Sequence, residues 1–331
     1  MELPQNLRTA IDNELASLPS KRLSTLSSEL SMRYRTISPS PGRTSSSKEK
    51  FLKSQEDIVA YVAFRLPATF AAVYSALMQV QKQIPSWCPQ TLLDVGAGPG
   101  TAMWAATTLY PELKHITLLE REEGMIELGK RMANNSLTPS IQKADWIKVD
   151  ITRDWEVCPH DLVIASYSLG ELSQDSGLNL IRKLWAITSG TLIIIEPGTP
   201  AGFLRIKKAR ELLLTAGAKT VAPCPHDNPC PISDKDWCHF SQRVARSHIH
   251  RLVKSGELSY EDEKFSFLSM SHAPGVAITG RVIRHPQVRT GHICFKLCTP
   301  NGLTSTTVSK KDKELYRKSR DLSWGSVMPS I

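Results

Sequence analysis

Residues 91–100 read TLLDVGAGPG, an apolar run followed by an acidic residue and then glycines at every second position. Glycine has no Cβ and adopts positive φ without strain, so such a turn between a strand and a helix lets backbone approach a ligand closely. Asp94, Gly96, Gly98 and Gly100 form that turn, and the next apolar run, HITLLE at 115–120, ends in Glu120. A carboxylate at the end of a second strand can accept both hydroxyls of a ribose. We read Asp94, Gly96, Gly98, Gly100 and Glu120 as cofactor-binding residues. A dinucleotide is the competing ligand, but its G-x-G-x-x-G fingerprint requires glycine or alanine where Thr101 stands.

Working outward from this turn, strand-sized and helix-sized segments alternate. Strands are expected at TLLDVG, HITLLE, IQKADWIKV, LVIASYSL and TLIIIEP, with helices near 100–109, 122–134 and 175–188 and another over 202–216. That order predicts a parallel sheet with crossover helices, an α/β Rossmann-like domain over 89–218. Residues 1–88 read as a helical N-terminal region. Leu7, Ile11, Leu15 and Leu18 recur at helical spacing, as do Leu23, Leu26, Leu30 and Tyr34. ISPSPGRTSSSK at 37–48 breaks the pattern, and Pro67 marks the start of a second long helix. A cysteine-rich module is expected over 219–260, with helix-like SQRVARSHIHRLVKSG at its end. A small antiparallel β module carrying FSFLSMS, AITGRVIRH, GHICFKLC and LTSTTVS is expected over 261–331, ending in a basic tail.

The charge is unevenly placed. Residues 203–331 hold 21 Lys and Arg against 11 Asp and Glu, whereas residues 1–202 are nearly balanced. A basic field of this kind attracts polyanions, and its plain alternative is a solvated basic surface. No apolar run approaches the roughly 18 residues of a membrane span, so no membrane association is expected. The N-terminus has no apolar signal core, and Glu2, Asp12, Glu14 and Glu29 argue against an acid-poor transit peptide. The location expected from these features is cytoplasmic.

Five of the seven cysteines fall in the basic stretch: Cys224, Cys230, Cys238, Cys294 and Cys298. In a reducing compartment, clustered thiols more often hold a metal than form bridges. The first three stand in CPHDNPCPISDKDWCHF, a loop with too few apolar residues to fold by burial alone. A closed site needs a fourth ligand. Cys298 is the better candidate and Cys294 the reserve; in a strand both lie on one face, so spacing does not separate them. The spacing leaves an iron-sulfur cluster, zinc and buried free thiols all open. His226 and His239 are alternative zinc ligands or loop hydrogen-bonding residues.

The pattern D-x-G-x-G-x-G with an acidic second-strand end resembles S-adenosylmethionine-dependent methyltransferases. Methyl transfer from a sulfonium needs positioning and electrostatics more than a nucleophile. After the fourth strand the chain reads ASYSLGEL, without the Asp-Pro-Pro-Tyr-like element of amino-directed nucleic-acid enzymes. Ser166, Tyr167, Ser168 and Glu171 are pocket-lining or helix-capping candidates there, and no catalytic residue is assigned. APCP at 222–225 lies after the fifth strand, which is the wrong place for a methylcytosine-type nucleophile.

Several segments together resemble one family, the bacterial and mitochondrial small-ribosomal-subunit methyltransferase-like proteins. They are AYVAFRLPATFAAV, LLDVGAGPGTAMWAA, IIIEPGTPAGF, CPHDNPCP with WCHFSQRVAR, LCTPNG and SRDLSWG, spread over about residues 58–327. The resemblance implies a Rossmann-like S-adenosylmethionine-dependent methyltransferase fold with a 4Fe-4S cluster, acting on the small subunit during its maturation. It implies Cys224, Cys230, Cys238 and Cys298 as the metal ligands. The expected partner is small-subunit rRNA and the expected state a monomer. Arg243, Arg246, His248, His250 and Arg251, with Lys310, Lys311, Lys313, Arg317, Lys318 and Arg320, are the expected RNA-facing cations. Three readings stay open: an rRNA methyltransferase, a non-catalytic assembly factor, and a small-molecule methyltransferase with a structural zinc site.

Overall fold

The computed structural model describes residues 1–16, 54–245 and 260–329, together with 19, 21–23, 25, 26 and 29. The chain divides into two compact units, one of residues 1–74, 90–155 and 242–263 and the other of 75–89, 156–241 and 264–331.

In the first unit, α1 (Gln5–Leu15) buries Leu7, Ala10, Ile11 and Leu15, one stripe at helical spacing. Glu14 on the same helix pairs with Arg131 at 2.9 Å. α2 (Gln55–Phe64) starts at Ser54, whose hydroxyl accepts the Asp57 N–H, with Glu56 and Asp57 favourably placed in its first turn. α3 (Leu66–Gln83) comes next, with Pro67 where a missing N–H costs nothing. Then come β1 (Thr91–Val95), α4 (Thr101–Leu109), β2 (His115–Glu120), α5 (Glu123–Asn134), the single turn α6 (Pro139–Gln142) and β3 (Asp145–Lys148). β1 and β3 flank β2 in parallel, with Val95 opposite Leu119 and Glu120 opposite Lys148. The strand expected over 141–149 is shorter, because Pro139 begins a helical turn that runs through Gln142.

The second unit is built on β4 (His160–Ser166) and β5 (Thr188–Pro197), parallel and joined through α7 (Gln174–Ala186). Leu192 to Ile195 of β5 have no exposed surface, as expected of a strand covered on both faces. α8 (Pro200–Thr215) is capped by the Thr199 hydroxyl, which accepts the Gly202 N–H at 3.1 Å. β6 (Lys219–Ala222), β7 (Phe240–Ala245) and β8 (Tyr260–Ser271) complete the larger sheet. β8 runs antiparallel to both β5 and β6. FSFLSMS is therefore a strand of this larger sheet and not of the small β module. Its phenylalanines and its serines are all buried, so its alternation of sizes does not mark an exposed face.

The small module itself comprises β9 (Arg281–Val282), β10 (Gln287–Arg289), β11 (His292–Thr299) and β12 (Gly302–Ser309), with β10-β11-β12 antiparallel and β9 paired to β11. Val282, Ile293, Phe295, Leu297, Val308 and Met328 make its core. The basic helix α9 (Lys313–Ser319) contributes Leu315 and Tyr316 to the packing around it. SQRVA, expected to open a helix, lies in β7, and the rest of that predicted helix falls outside the described residues, as do Leu30, Tyr34 and the 37–48 segment. Among the described residues no single helix is long and apolar enough to cross a membrane.

Candidate functional site

The carboxyl ends of parallel strands are where open α/β sheets bind ligands. In the first unit, three carboxylates stand at that edge: Asp94 on β1, Glu120 ending β2, and Asp150 just beyond β3. The loop after β1 is held to β2, because the Gly96 and Ala97 N–H groups donate to the Leu119 carbonyl at 2.9 and 3.0 Å. Gly98 N–H then donates to Glu120 Oε2 at 2.8 Å, while the Arg121 and Glu122 N–H groups reach Oε1 at 2.7 and 2.8 Å. Gly98 and Gly100 both have positive φ, +55° and +79°. A Cβ on Gly100 would crowd Trp146, Leu118 and Met103, whereas one on Gly98 would meet nothing within 4 Å and project into open space.

Asp94 is wholly buried, and neither of its carboxyl oxygens has a hydrogen-bond partner of normal geometry. Burial first, and the Glu120 charge second, push it up to about 8, with the Met103 backbone amide opposing. An orphaned buried carboxyl costs about 1–3 kcal/mol and is an acceptor in want of a cationic or N–H donor. Asp150 is not singled out by its sequence. Thr152 donates to it through both backbone and side chain, at 3.0 and 2.7 Å, and holds it below the ordinary carboxylate range.

After β4, Tyr167 has φ +59°, a conformation that L side chains seldom adopt. Leu169 to Glu171 form a 3₁₀ turn, and the Leu169 N–H donates to the buried Glu196 carboxylate, which also accepts from Arg205 at 2.6 Å. The next helix, α7, is capped by Ser173 and not by any of the four residues considered from the sequence. Ser168 is buried with its hydroxyl unpartnered.

In the second unit, Cys224, Cys230, Cys238 and Cys298 line one cavity of about 40 Å³, together with His226 and Arg210. Phe203, Ile232 and Ile283 pack around it. Cys298 on β11 pairs in register with Arg281 and Leu303, and its Sγ lies 3.7 Å from His226 Nε2. Cys294 sits beside Thr307 at 3.5 Å and does not line the cavity. Burial pushes the thiols of Cys224, Cys238 and Cys298 up, the last to about 12, and each is raised further by its neighbouring cysteines. Burial, then Arg210, holds His226 below the usual histidine range. His239 stacks on Trp237 and meets the edge of Trp324, so it serves packing in this loop. Among the described residues, no group of three or more His, Cys, Asp or Glu side chains has the arrangement that holds a metal ion.

A family model described as the mitochondrial small ribosomal subunit protein Rsm22 matches residues 55–329. The chain belongs to the Rsm22 family. Human mitochondrial ribosome assembly protein METTL17 is 29% identical over 299 residues, which is 82% of this chain and 62% of the human protein. The Rsm22-cox11 tandem protein 2 of Schizosaccharomyces pombe is 26% identical, over 82% of this chain and 43% of its own length. The Saccharomyces cerevisiae mitochondrial ribosome assembly protein RSM22 is 20% identical, covering 84% and 68%. This Rsm22-family chain thus spans less than two thirds of the human and fission-yeast relatives. Among solved structures, the Synechocystis magnesium protoporphyrin IX methyltransferase with bound S-adenosylmethionine is 13% identical, with a TM-score of 0.41 over 73% of this chain and 90% of that one.

The family corrects the cytoplasmic location expected from the N-terminus, since the matched relatives are mitochondrial proteins. One of the acidic residues behind that expectation, Glu14 on α1, pairs with Arg131 at 2.9 Å.

Proposed function

We propose that this Rsm22-family chain is an S-adenosylmethionine-binding assembly factor of the mitochondrial small ribosomal subunit that holds a 4Fe-4S cluster and docks on rRNA. The observation that carries the proposal is the meeting of four cysteines, the first and last 74 positions apart in sequence, around one buried cavity. A cavity of about 40 Å³ exceeds the room one water needs and suits a larger inorganic group. A cluster bound by these four thiolates supplies a redox-active centre and a cross-link between the 224–238 loop and β11.

Asp94, Gly98 and Glu120 support the cofactor reading. The orphaned Asp94 carboxyl is suited to an ammonium group, Glu120 to ribose hydroxyls, and the open space over Gly98 to a nucleoside. S-adenosylmethionine bound there supplies an electrophilic methyl group. The chain's own part is to orient it, because no general base is assigned beside the reacting carbon. Lys310 and Lys311, in the turn after β12, and Lys313 and Arg317, on α9, are exposed and make no ion pair among the described residues, which favours phosphate docking. Arg243, by contrast, is paired to Asp262 at 2.8 Å, and Arg246, His248, His250 and Arg251 lie outside the described residues.

The test is Gly98→Leu, which places a strained side chain in the proposed cofactor space. Small-subunit yield and rRNA methylation are then measured in cells carrying only the variant. A fall in mature small subunit is expected; normal yield from a variant that no longer binds cofactor would contradict a role for the cofactor in assembly.

A further inference from the structure

Two guanidinium groups are buried beside the cysteine cavity, each only 3% exposed: Arg210 on α8 and Arg281 on β9. Neither forms an ion pair with a carboxylate among the described residues. Arg210 donates through Nη2 to the His226 carbonyl at 2.6 Å and leaves Nε and Nη1 without acceptors. Arg281 donates through Nε to the Pro223 carbonyl at 2.8 Å and through Nη1 to the Gly325 carbonyl at 3.0 Å, leaving Nη2 unmatched. Both cations act electrostatically on the thiols, favouring the thiolate at Cys224 and Cys298.

A buried charge without a counter-charge is strongly disfavoured. Among the described residues no carboxylate pairs with either cation, so the fold buries two cations directly beside the four cysteines. Four thiolates on an oxidised 4Fe-4S core carry two net negative charges, which match the two arginines.

We propose that Arg210 and Arg281 are the charge-compensating pair of the cysteine-bound centre, and that they set how readily it accepts an electron. The inference rests on the cluster reading above. A nearby positive charge favours the more negative, reduced state, so its removal moves the midpoint potential downward.

The experiment uses the full chain isolated without oxygen, as wild type, Arg210→Met, Arg210→Lys and Arg281→Met. Iron and acid-labile sulfide are assayed, and each protein is titrated potentiometrically with the reduced state followed by electron paramagnetic resonance. Arg210, with one backbone bond to lose, is the decisive position. Arg210→Met and Arg281→Met are expected to give a more negative midpoint or to lose iron, and Arg210→Lys to stay near wild type in both. Wild-type potential and iron content in both Met variants would overturn the inference, as would equal loss in Arg210→Lys and Arg210→Met, which would assign the effect to shape. Wild type without iron and sulfide would remove the cluster reading and this inference with it, whereas the other failures leave the cluster standing.

Discussion

The Gly98 N–H donates to the Glu120 carboxylate at 2.8 Å, so the glycine turn after β1 is tied to the end of β2 by the same side chain suited to bind a ribose. Glu120 accepts three backbone N–H groups in all. Charge-assisted bonds of this kind contribute about 1.5–3 kcal/mol each when buried and less when partly exposed. Glu120→Ala is expected to release the turn, to weaken S-adenosylmethionine binding at least about tenfold, roughly 1.4 kcal/mol, and to lower the melting temperature. Titration calorimetry and a thermal melt check both.

Asp94 predicts a pH dependence. In the ligand-free fold its carboxyl, ordinarily near 3.8, is pushed up to about 8. The folded state thus holds a proton that the unfolded state has released, and the stability this contributes is present below pH 4 and lost as pH rises through 8. A ligand ammonium favours the carboxylate, so cofactor binding expels that proton. Affinity should rise by up to about tenfold per pH unit between pH 6 and 7.5. Asp94→Asn should flatten the dependence in calorimetry.

A Cβ on Gly129 of α5 would lie 2.2 Å from Trp146 Cη2 and 2.7 Å from its Cζ2, too close for the indole to stay where it is. Alanine is the better helix former by about 1 kcal/mol, yet overpacking costs about 1–3 kcal/mol. Gly129→Ala should therefore destabilise or at best leave stability unchanged in chemical denaturation. Because Trp146 also packs on Gly100, cofactor affinity should fall with it.

Replacing Lys310, Lys311, Lys313 and Arg317 with alanine should weaken binding to small-subunit rRNA and reduce the dependence of log K on log salt concentration by up to about 3, at roughly 0.7 per phosphate contact on single strands. An unchanged slope would place the RNA-facing surface elsewhere.

The first unit is largely legible in the sequence. TLLDVG and HITLLE are short apolar runs bounded by turn residues, and the glycines at 96, 98 and 100 fix the turn between β1 and α4. Asp150 escapes sequence reasoning because a lone acid after the short, mostly exposed β3 carries no local signal. FSFLSMS misleads because alternating Phe and Ser imitates a one-faced strand, whereas Ser266 is buried and donates to the Cys238 carbonyl. Cys294 and Cys298 share a face of β11, as their spacing predicts, but four residues of strand separate them by about 13 Å. The fold distinguishes them: β9 pairs at Cys298, which lines the cavity, while Cys294 pairs with Gln287 of β10 and does not. Likewise the C-terminal basic excess reads as surface, although Arg210 and Arg281 are among its most buried members. Burial of a charge is a tertiary property that spacing does not encode.

The convergence of the four thiols on an inorganic group is tested most directly by iron and acid-labile sulfide analysis of protein isolated without oxygen. The account predicts about four of each per chain, as in any 4Fe-4S centre, lost in Cys298→Ala and retained in Cys294→Ala. Stoichiometric zinc, an absence of metal, or loss in Cys294→Ala with retention in Cys298→Ala would contradict it.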